Sequence, residues 1–283
     1  MHHTFYYLKK LQQSKYVFSR KEEFRIDGEV SCKKAQRCLD FAYNMTIGRY
    51  DIEIETKGEH RDTRSGGKKS RELKQIYIDT LQGKLAECAV HQFLLKNKIE
   101  TDEPDFEPYG RGEWDSFDLK CYGQKISIKS TKAFGQLLLL EKEDWDKEGR
   151  YIPNIGKGNE KYDIFVLVRM NPNVDKYLKD IREFENVENK TQEQIHYLKK
   201  KLLSTLSDIK WEYNITGYIS NEDLKYIIEN HYVIKQGCEI GTEHIQYHGT
   251  PMDADNYYVQ AASMRKKKEL IERLLEYKNM QLN

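Results

Sequence analysis

An acid and a lysine flank a short predicted hairpin near the middle of the chain. Residues 117–131 read FDLKCYGQKISIKST, two alternating runs joined at Gly123-Gln124. A two-residue loop at that position places Asp118 opposite Lys129, and opposed side chains in an antiparallel pair lie about 5 Å apart at Cβ. The pattern predicts a carboxylate and an ammonium group side by side. They form either a surface salt bridge or part of a site that binds a metal ion and an anion.

A third ionisable group, Glu87, precedes the hairpin on a predicted helix. Apolar residues recur there every three or four positions, at Ile78, Leu81, Leu85, Ala89 and Phe93. This spacing predicts an amphipathic helix from Gln75 to Asn97. Glu87 shares another, partly apolar face with Val90 and Leu94. It is therefore either a surface residue with an extended stem or a buried acid that requires a cation.

The order of these residues resembles the PD-(D/E)xK nuclease superfamily. In that family a helix carries a Glu, a strand carries an Asp, and the next strand carries an acid-x-Lys triplet. The matching residues are Glu87, Asp118 and the triplet Ser127-Ile128-Lys129. The resemblance covers residues 75–170, and the layout suggests type II restriction endonucleases. It implies cleavage of double-stranded DNA at specific sites by a phosphodiester hydrolase that works as a homodimer.

The resemblance also implies a Mg²⁺ cofactor, for which Mn²⁺ would substitute, and no organic cofactor. The implied metal ligands are Glu87, Asp118, the main-chain carbonyl of Ile128 and Glu143. Glu87, Asp118 and Lys129 are the implied catalytic residues, with Lys129 contacting the attacking water and the phosphate.

One residue departs from the family pattern, because Ser127 stands where the triplet usually begins with Asp or Glu. A hydroxyl is a poorer Mg²⁺ ligand than a carboxylate. Glu143 and Glu141 are candidates to replace the missing acid, or Glu87 fills this role alone. If none of them reaches the site, the protein is a catalytically silent module that binds DNA.

A basic segment before the predicted helix is the candidate DNA-binding loop. It contains Arg61, Arg64, Lys68, Lys69 and Arg71 around a Gly-Gly pair. Arg side chains contact phosphates and guanine edges, although such runs are more often solvated loops. Just beyond Lys129, Lys132 and Gln136 are further candidates for DNA contact.

Composition limits the remaining classes. The net charge is +1, so any DNA-binding surface must be local. None of the five cysteines forms a CxxC pair, which argues against structural zinc. No segment approaches the roughly 20 apolar residues of a membrane span. We therefore expect reduced thiols, a cytoplasmic location and no membrane partner.

The element pattern predicts an α/β fold, a mixed central β-sheet flanked by helices as in a restriction-endonuclease-like core. We expect a single nuclease domain over 1–283, divided into an N-terminal extension over 1–72, a core over 73–262 and a C-terminal helix over 263–283. The extension reads as helical over 1–46, then as a strand over 51–56, then as the basic loop. A helical insertion is expected near 174–209, and a helix with an Asn cap at 221–230. Further strands are expected at 162–170, 212–219 and 256–262.

Two functional alternatives remain open on the sequence alone. A repair or mobile-element nuclease has the same chemistry but acts on DNA structure. A structural α/β domain needs no chemistry at all, and its Asp118–Lys129 pair is then only a salt bridge.

Overall fold

The computed structural model describes residues 3–55, 57–59, 70–109, 117–158, 160–241 and 251–282. The strands in these ranges are β1 (Lys9–Gln12), β2 (Lys15–Val17), β3 (Gly28–Glu29), β4 (Leu119–Cys121), β5 (Gln124–Lys132), β6 (Leu137–Glu141), β7 (Ile164–Asn171), β8 (Glu212–Ser220), β9 (Val233–Ile234), β10 (Glu239–Gly241) and β11 (Asn256–Gln260). The helices are α1 (Cys32–Thr46), α2 (Leu73–Lys96), α3 (Asp175–Leu178), α4 (Gln192–Leu206), α5 (Asn221–Glu229) and α6 (Lys267–Leu282). Every helix in these ranges is too short or too polar to cross a lipid bilayer.

A five-stranded mixed sheet organises the fold, with strand order β3-β8-β7-β5-β4. Strands β5 and β7 are parallel, and the other neighbouring pairs are antiparallel. Helix α2 packs against one face of this sheet, and α1 packs on α2 in the same hydrophobic core. The expected fold class, a mixed central sheet flanked by helices, is therefore confirmed.

Strand β7 separates the two hydrophobic cores. Its apolar run is buried on both faces, as its sequence predicts for a central strand. Val166 points into the core formed with α1 and α2, whereas Phe165 and Leu167 point into the core on the opposite face. That second core is closed by α5 and by an antiparallel sheet of strand order β6-β11-β9.

The N-terminal region differs from the expected helix over 1–46. Only α1 is helical there; β2 pairs with both β1 and β10 in a separate sheet, and β3 pairs with β8. Phe5, Leu8 and Val17 are buried, and the first two belong to the second core. An extended chain allows these side chains to reach that distant core, which a local helix would not.

Two further expectations about local structure are wrong. Residues 51–55 form a turn rather than a strand, because the Asp51 carboxylate accepts the main-chain N–H of Glu53 at 3.0 Å. Helix α5 is capped by Ser220 and not by Asn: the Ser220 hydroxyl accepts the N–H of Asp223 at 3.2 Å. The segment expected as a helical insertion near 174–209 contains the four-residue α3 and the longer α4.

A buried arginine fixes the segment before β3 onto the central sheet. Arg169 of β7 is fully buried, and its guanidinium donates to the main-chain oxygens of Glu22 and Glu23 at 2.8 and 2.6 Å. It also donates two hydrogen bonds to the side-chain oxygen of Asn214. Neutral acceptors thus replace the water that the guanidinium loses on burial.

We predict that Arg169→Met lowers the free energy of unfolding by about 3 kcal/mol, since charge-assisted hydrogen bonds are lost and carbonyl oxygens are left unpaired. Urea unfolding followed by circular dichroism measures this change. Arg25→Met is the matched control, because the Arg25 side chain is exposed and, among the described residues, pairs with the exposed Glu23 alone. A similar effect of both substitutions would contradict the assigned role.

We also predict an acid-sensitive contribution from Asp223, which accepts hydrogen bonds from Arg265 at 2.7 and 2.9 Å. Burial opposes ionisation, but the bonds from Arg265 and Ser220 outweigh it and lower the pKa of Asp223. The contribution is therefore present above the unfolded-state pKa of about 3.9 and is lost as the pH falls through the lower folded-state pKa. Asp223→Asn should cost about 1–3 kcal/mol at pH 7.

The measurement is urea unfolding of both proteins between pH 7 and pH 3. The difference between wild type and Asp223→Asn should shrink as the solution becomes acidic. A difference that stays constant over this interval would show that the Asp223 charge contributes nothing.

Candidate active site

The hairpin between β4 and β5 has a different register from the expected one. Its loop is Tyr122-Gly123, and both residues have positive φ angles of 46° and 78°. A two-residue loop that needs positive φ at both positions favours glycine second, which moves the pairing by two residues. Leu119 lies opposite Ile126, so Asp118 aligns with Ser127 and not with Lys129.

The shift of two residues leaves the faces of the hairpin unchanged, because side chains alternate with a period of two. Ile126 and Ile128 point into the core beneath α2. Ser127 and Lys129 alternate with them on the opposite face, next to Phe165 and Leu167 of β7. The alternation of the sequence thus separates the isoleucines from the polar residues across the two faces of β5.

Asp118 lies immediately before β4, at the position where the pairing of β4 with β5 ends. The pairing of β4 with β5 ends at Leu119–Ile126, and the Asp118 carboxylate accepts the main-chain N–H of Ile128 beyond it. In a strand, the N–H and C=O of one residue point to the same edge. The Ile128 carbonyl, an expected metal ligand, therefore faces the same edge of β5 as the Asp118 carboxylate.

Lys129 is half-buried and makes no hydrogen bond or ion pair with any described residue. Asp118 and Lys129 therefore do not form the cross-strand salt bridge that was one of the two expectations for this hairpin. Ser127 is 3% exposed and aligns with Asp118. A carboxylate at position 127 would bury a second negative charge opposite Asp118, a cost that the serine avoids.

Helix α2 carries Glu87 towards this edge. The helix packs on β5, and Gln82 donates to the Ser130 hydroxyl across this contact at 3.3 Å. The Glu87 side chain is only 13% exposed. Burial raises the pKa of Glu87 to about 8; the charge of Lys84 opposes this shift, and the negative charge of Asp118 adds to it. The charge of Asp118 therefore acts on the Glu87 carboxyl.

Lys84 is a residue of this site that the sequence reasoning missed. Its ammonium group lies 2.6 Å from the Glu87 carboxylate and donates to the main-chain oxygen of Asp105 at 2.7 Å. The aromatic rings of Phe41 and Phe106 enclose it, with centroids at 4.6 and 5.7 Å. The Lys-x-x-Glu spacing on a helix is the sequence signal that could have identified the pair.

The other proposed acids lie elsewhere. Glu143 is exposed on a single 3-10 turn, Lys142–Asp144, and forms no hydrogen bond or ion pair with the residues described. Glu141 ends β6 and aligns with Asn256 in the second sheet. Both acids therefore belong to the end of β6 in the second sheet, whereas the charge of Asp118 acts on Glu87.

The candidate DNA-contacting residues divide into two groups. Four of them lie outside the described residues: Arg61, Arg64, Lys68 and Lys69. The other three already have protein partners. Arg71 forms an ion pair with Asp79 at 2.8 Å, and Lys132 forms an ion pair with Asp175.

The third, Gln136, bonds to both main-chain groups of Glu22, with distances of 2.8 and 2.9 Å. A DNA contact by the Gln136 amide would have to replace these bonds. DNA contact by the seven candidates therefore stays a prediction.

A second group of acidic residues lies between helix α4 and the turn that follows α1. Oxygen and nitrogen atoms of Asp51, Glu53 and His196 lie within 4.8 Å of one another. Asp51 is fully buried, which alone would raise its pKa. The Tyr43 hydroxyl at 2.8 Å, the Glu53 N–H and the charge of Lys199 lower it instead. This carboxylate is already satisfied and ties α1 to α4.

The edge of β5 therefore has the donor set that suits a divalent cation, with hard oxygen atoms from Glu87, Asp118 and the Ile128 carbonyl. Comparisons of the chain with protein-family models, curated proteins and solved structures found no match.

Proposed function

We propose that the protein is a Mg²⁺-dependent endonuclease that cleaves double-stranded DNA at specific sites, in the manner of type II restriction enzymes. One observation carries the proposal. The Asp118 carboxylate is held by the Ile128 N–H where the pairing of β4 with β5 ends, and its charge acts on Glu87 of α2, which packs on β5. Lys129, the next residue of β5, has no hydrogen bond or ion pair with any described residue.

The two acids favour a cation at this place. A buried carboxyl whose pKa is raised by burial and by a neighbouring negative charge gains most from a positive charge. Lys84 supplies one positive charge on the α2 side of Glu87. A Mg²⁺ ion, or Mn²⁺ in its place, would offset the remaining repulsion with Asp118 and would use the oxygen ligands that it prefers.

The residues have distinct chemical roles in this proposal. A bound Mg²⁺ would polarise the phosphate and acidify a water molecule. Asp118, fixed by the Ile128 N–H, holds its carboxylate in a defined orientation. Lys129 donates hydrogen bonds to the phosphate and to the attacking water, and its charge stabilises the negative charge that develops on the phosphate oxygens.

Ser127 favours one alternative function. The usual acid of the triplet is absent, and the described structure brings no third carboxylate to Asp118 and Glu87. If two carboxylates and one carbonyl hold the metal too weakly, the protein binds DNA without cutting it. Binding without cleavage in both Mg²⁺ and Mn²⁺ would establish this alternative.

The partners follow from the same proposal. Duplex DNA would contact the basic loop that contains Arg61, Arg64, Lys68 and Lys69, and then the uncovered edge of β5. Two copies of the chain related by a two-fold axis would cut both strands of a palindromic site. Fragments of discrete size from a mixed-sequence genome would distinguish this from a repair or mobile-element nuclease, which would cut only at junctions, nicks or mismatches.

We predict that Asp118→Asn and Lys129→Ala each slow Mg²⁺-dependent cleavage of phage DNA by about 100-fold or more, the usual effect of removing one group that stabilises transition-state charge. Gel analysis of a time course measures the rates. Lys120→Ala is the matched control, because Lys120 is exposed on β4 next to Leu119 and carries the same charge as Lys129.

Folding of all three variants is checked by circular dichroism and thermal unfolding. Normal cutting by folded Asp118→Asn and Lys129→Ala would show that the site is wrongly assigned. Absence of DNA binding at low salt, where phosphate contacts are strongest, would reject both the nuclease and the silent module.

A further inference from the structure

Helices α1 and α2 run antiparallel and meet in a fixed alignment away from β5. The main-chain N–H of Ser31, at the start of α1, donates to Gln92 at 3.1 Å. One turn along α1, the Lys34 ammonium lies 2.5 Å from the His91 ring nitrogen. The next pair in the same direction is Cys38 and Cys88, whose sulfur atoms are 3.6 Å apart.

Small side chains surround the two cysteines. Ala35 and Ala42 flank Cys38 on α1, and Ala89 follows Cys88 on α2. All three alanines are buried, as are both thiols. Alanine at a helix contact allows the two backbones to approach closely, which a disulfide requires. Its Cα atoms must lie within about 7 Å, and its sulfur atoms about 2 Å apart.

We propose that Cys38 and Cys88 form a redox-sensitive dithiol, which a two-electron thiol oxidant converts into a disulfide between α1 and α2. Both S–H bonds break and one S–S bond forms. The two protons and two electrons pass to the oxidant; with a diazene such as diamide, the N=N bond is reduced to a hydrazine. The sulfur atoms must approach by about 1.5 Å, within the reach of small rotations of two side chains.

The other cysteines offer no comparable pair, and all of them lie in the described ranges. Cys32 is exposed, Cys238 is buried, and the buried Cys121 donates to the main-chain oxygen of Glu100 at 3.1 Å. Exposure makes Cys32 the fastest to react with an added oxidant. The Cys38–Cys88 pair lacks solvent contact and must react more slowly, when α1 and α2 separate transiently.

The bond would hold together positions 50 residues apart in the chain. Closing such a loop restricts the unfolded chain, so the oxidised protein should unfold at a higher temperature than the reduced protein. This consequence does not depend on nuclease activity, and its test is independent of the DNA-cleavage experiments.

The experiment uses the full chain with Cys32→Ser, which removes the exposed thiol. This protein is incubated overnight with diamide and quenched in denaturant with an alkylating agent, and its tryptic peptides are analysed by mass spectrometry with and without dithiothreitol. We expect a peptide that links Cys38 to Cys88, intact mass lower by two hydrogen atoms, a raised unfolding temperature, and reversal of all three by dithiothreitol.

Two matched variants test the pairing in the Cys32→Ser background. Additional Cys38→Ala should abolish the linked peptide, and additional Cys238→Ala should leave it in place. If the parent protein yields Cys38 and Cys88 as alkylated thiols after overnight oxidation, or yields either one bonded to Cys121 or Cys238, the proposal is wrong. The parent alone gives this answer, even if an alanine variant fails to fold.

Discussion

The main-chain N–H of Ile128 sets the geometry of the candidate site. It points to an edge of β5 that β4 no longer covers, and a main-chain donor in such a position requires an acceptor. Asp118 supplies that acceptor from the residue immediately before β4. The carboxylate is therefore held at the edge by the folding of the hairpin itself, before any ligand arrives. The shortness of β4 is what leaves room for other groups beside it.

The central sheet brings the remaining groups to this edge from two sides. On one face, α2 packs against the isoleucines of β5 and delivers Glu87 with its Lys84 partner. On the other face, the residues of β7 that flank Lys129 belong to the core beneath β6 and β11. Because both faces are packed, the edge of β5 is the place where polar groups from the two sides can meet.

Much of this arrangement could be predicted from the sequence where periodicity was strong. Apolar residues spaced by three and four positions predicted α2, and a continuous apolar run predicted β7. The alternation of Ile126 and Ile128 with polar residues predicted which face of β5 is buried. The chain order of Glu87, Asp118 and Lys129 was the basis for expecting a shared site; the structure packs α2 on β5 and places Asp118 at the start of the hairpin that β4 forms with β5.

The parts that could not be predicted depend on local chemistry or on distant contacts. The hairpin register was set by the positive φ angle at Tyr122, which no residue preference signals. The turn after α1 depends on local hydrogen bonds, among them those from the N–H groups of Glu53 and Ile54 to the carboxylate and carbonyl of Asp51. Strand β6 contains four consecutive leucines, so its sequence lacks the alternation of apolar and polar residues from which a strand is predicted. The spacing of Lys84 and Glu87 could suggest their pairing, but the contacts of the Lys84 ammonium with the rings of Phe41 and Phe106 depend on tertiary packing.

The attachment of the N-terminal segment has a consequence for the order in which the chain acquires its structure during synthesis. Glu22 and Glu23 leave the ribosome early, but the guanidinium that binds their carbonyls belongs to a residue made about 150 positions later. The main-chain N–H of Leu8 donates to the hydroxyl of Tyr258, a residue that is synthesised later still. Residues 8–23 thus reach their final positions only after residues far along the chain are available, and the contacts of Leu8, Glu22 and Glu23 form late.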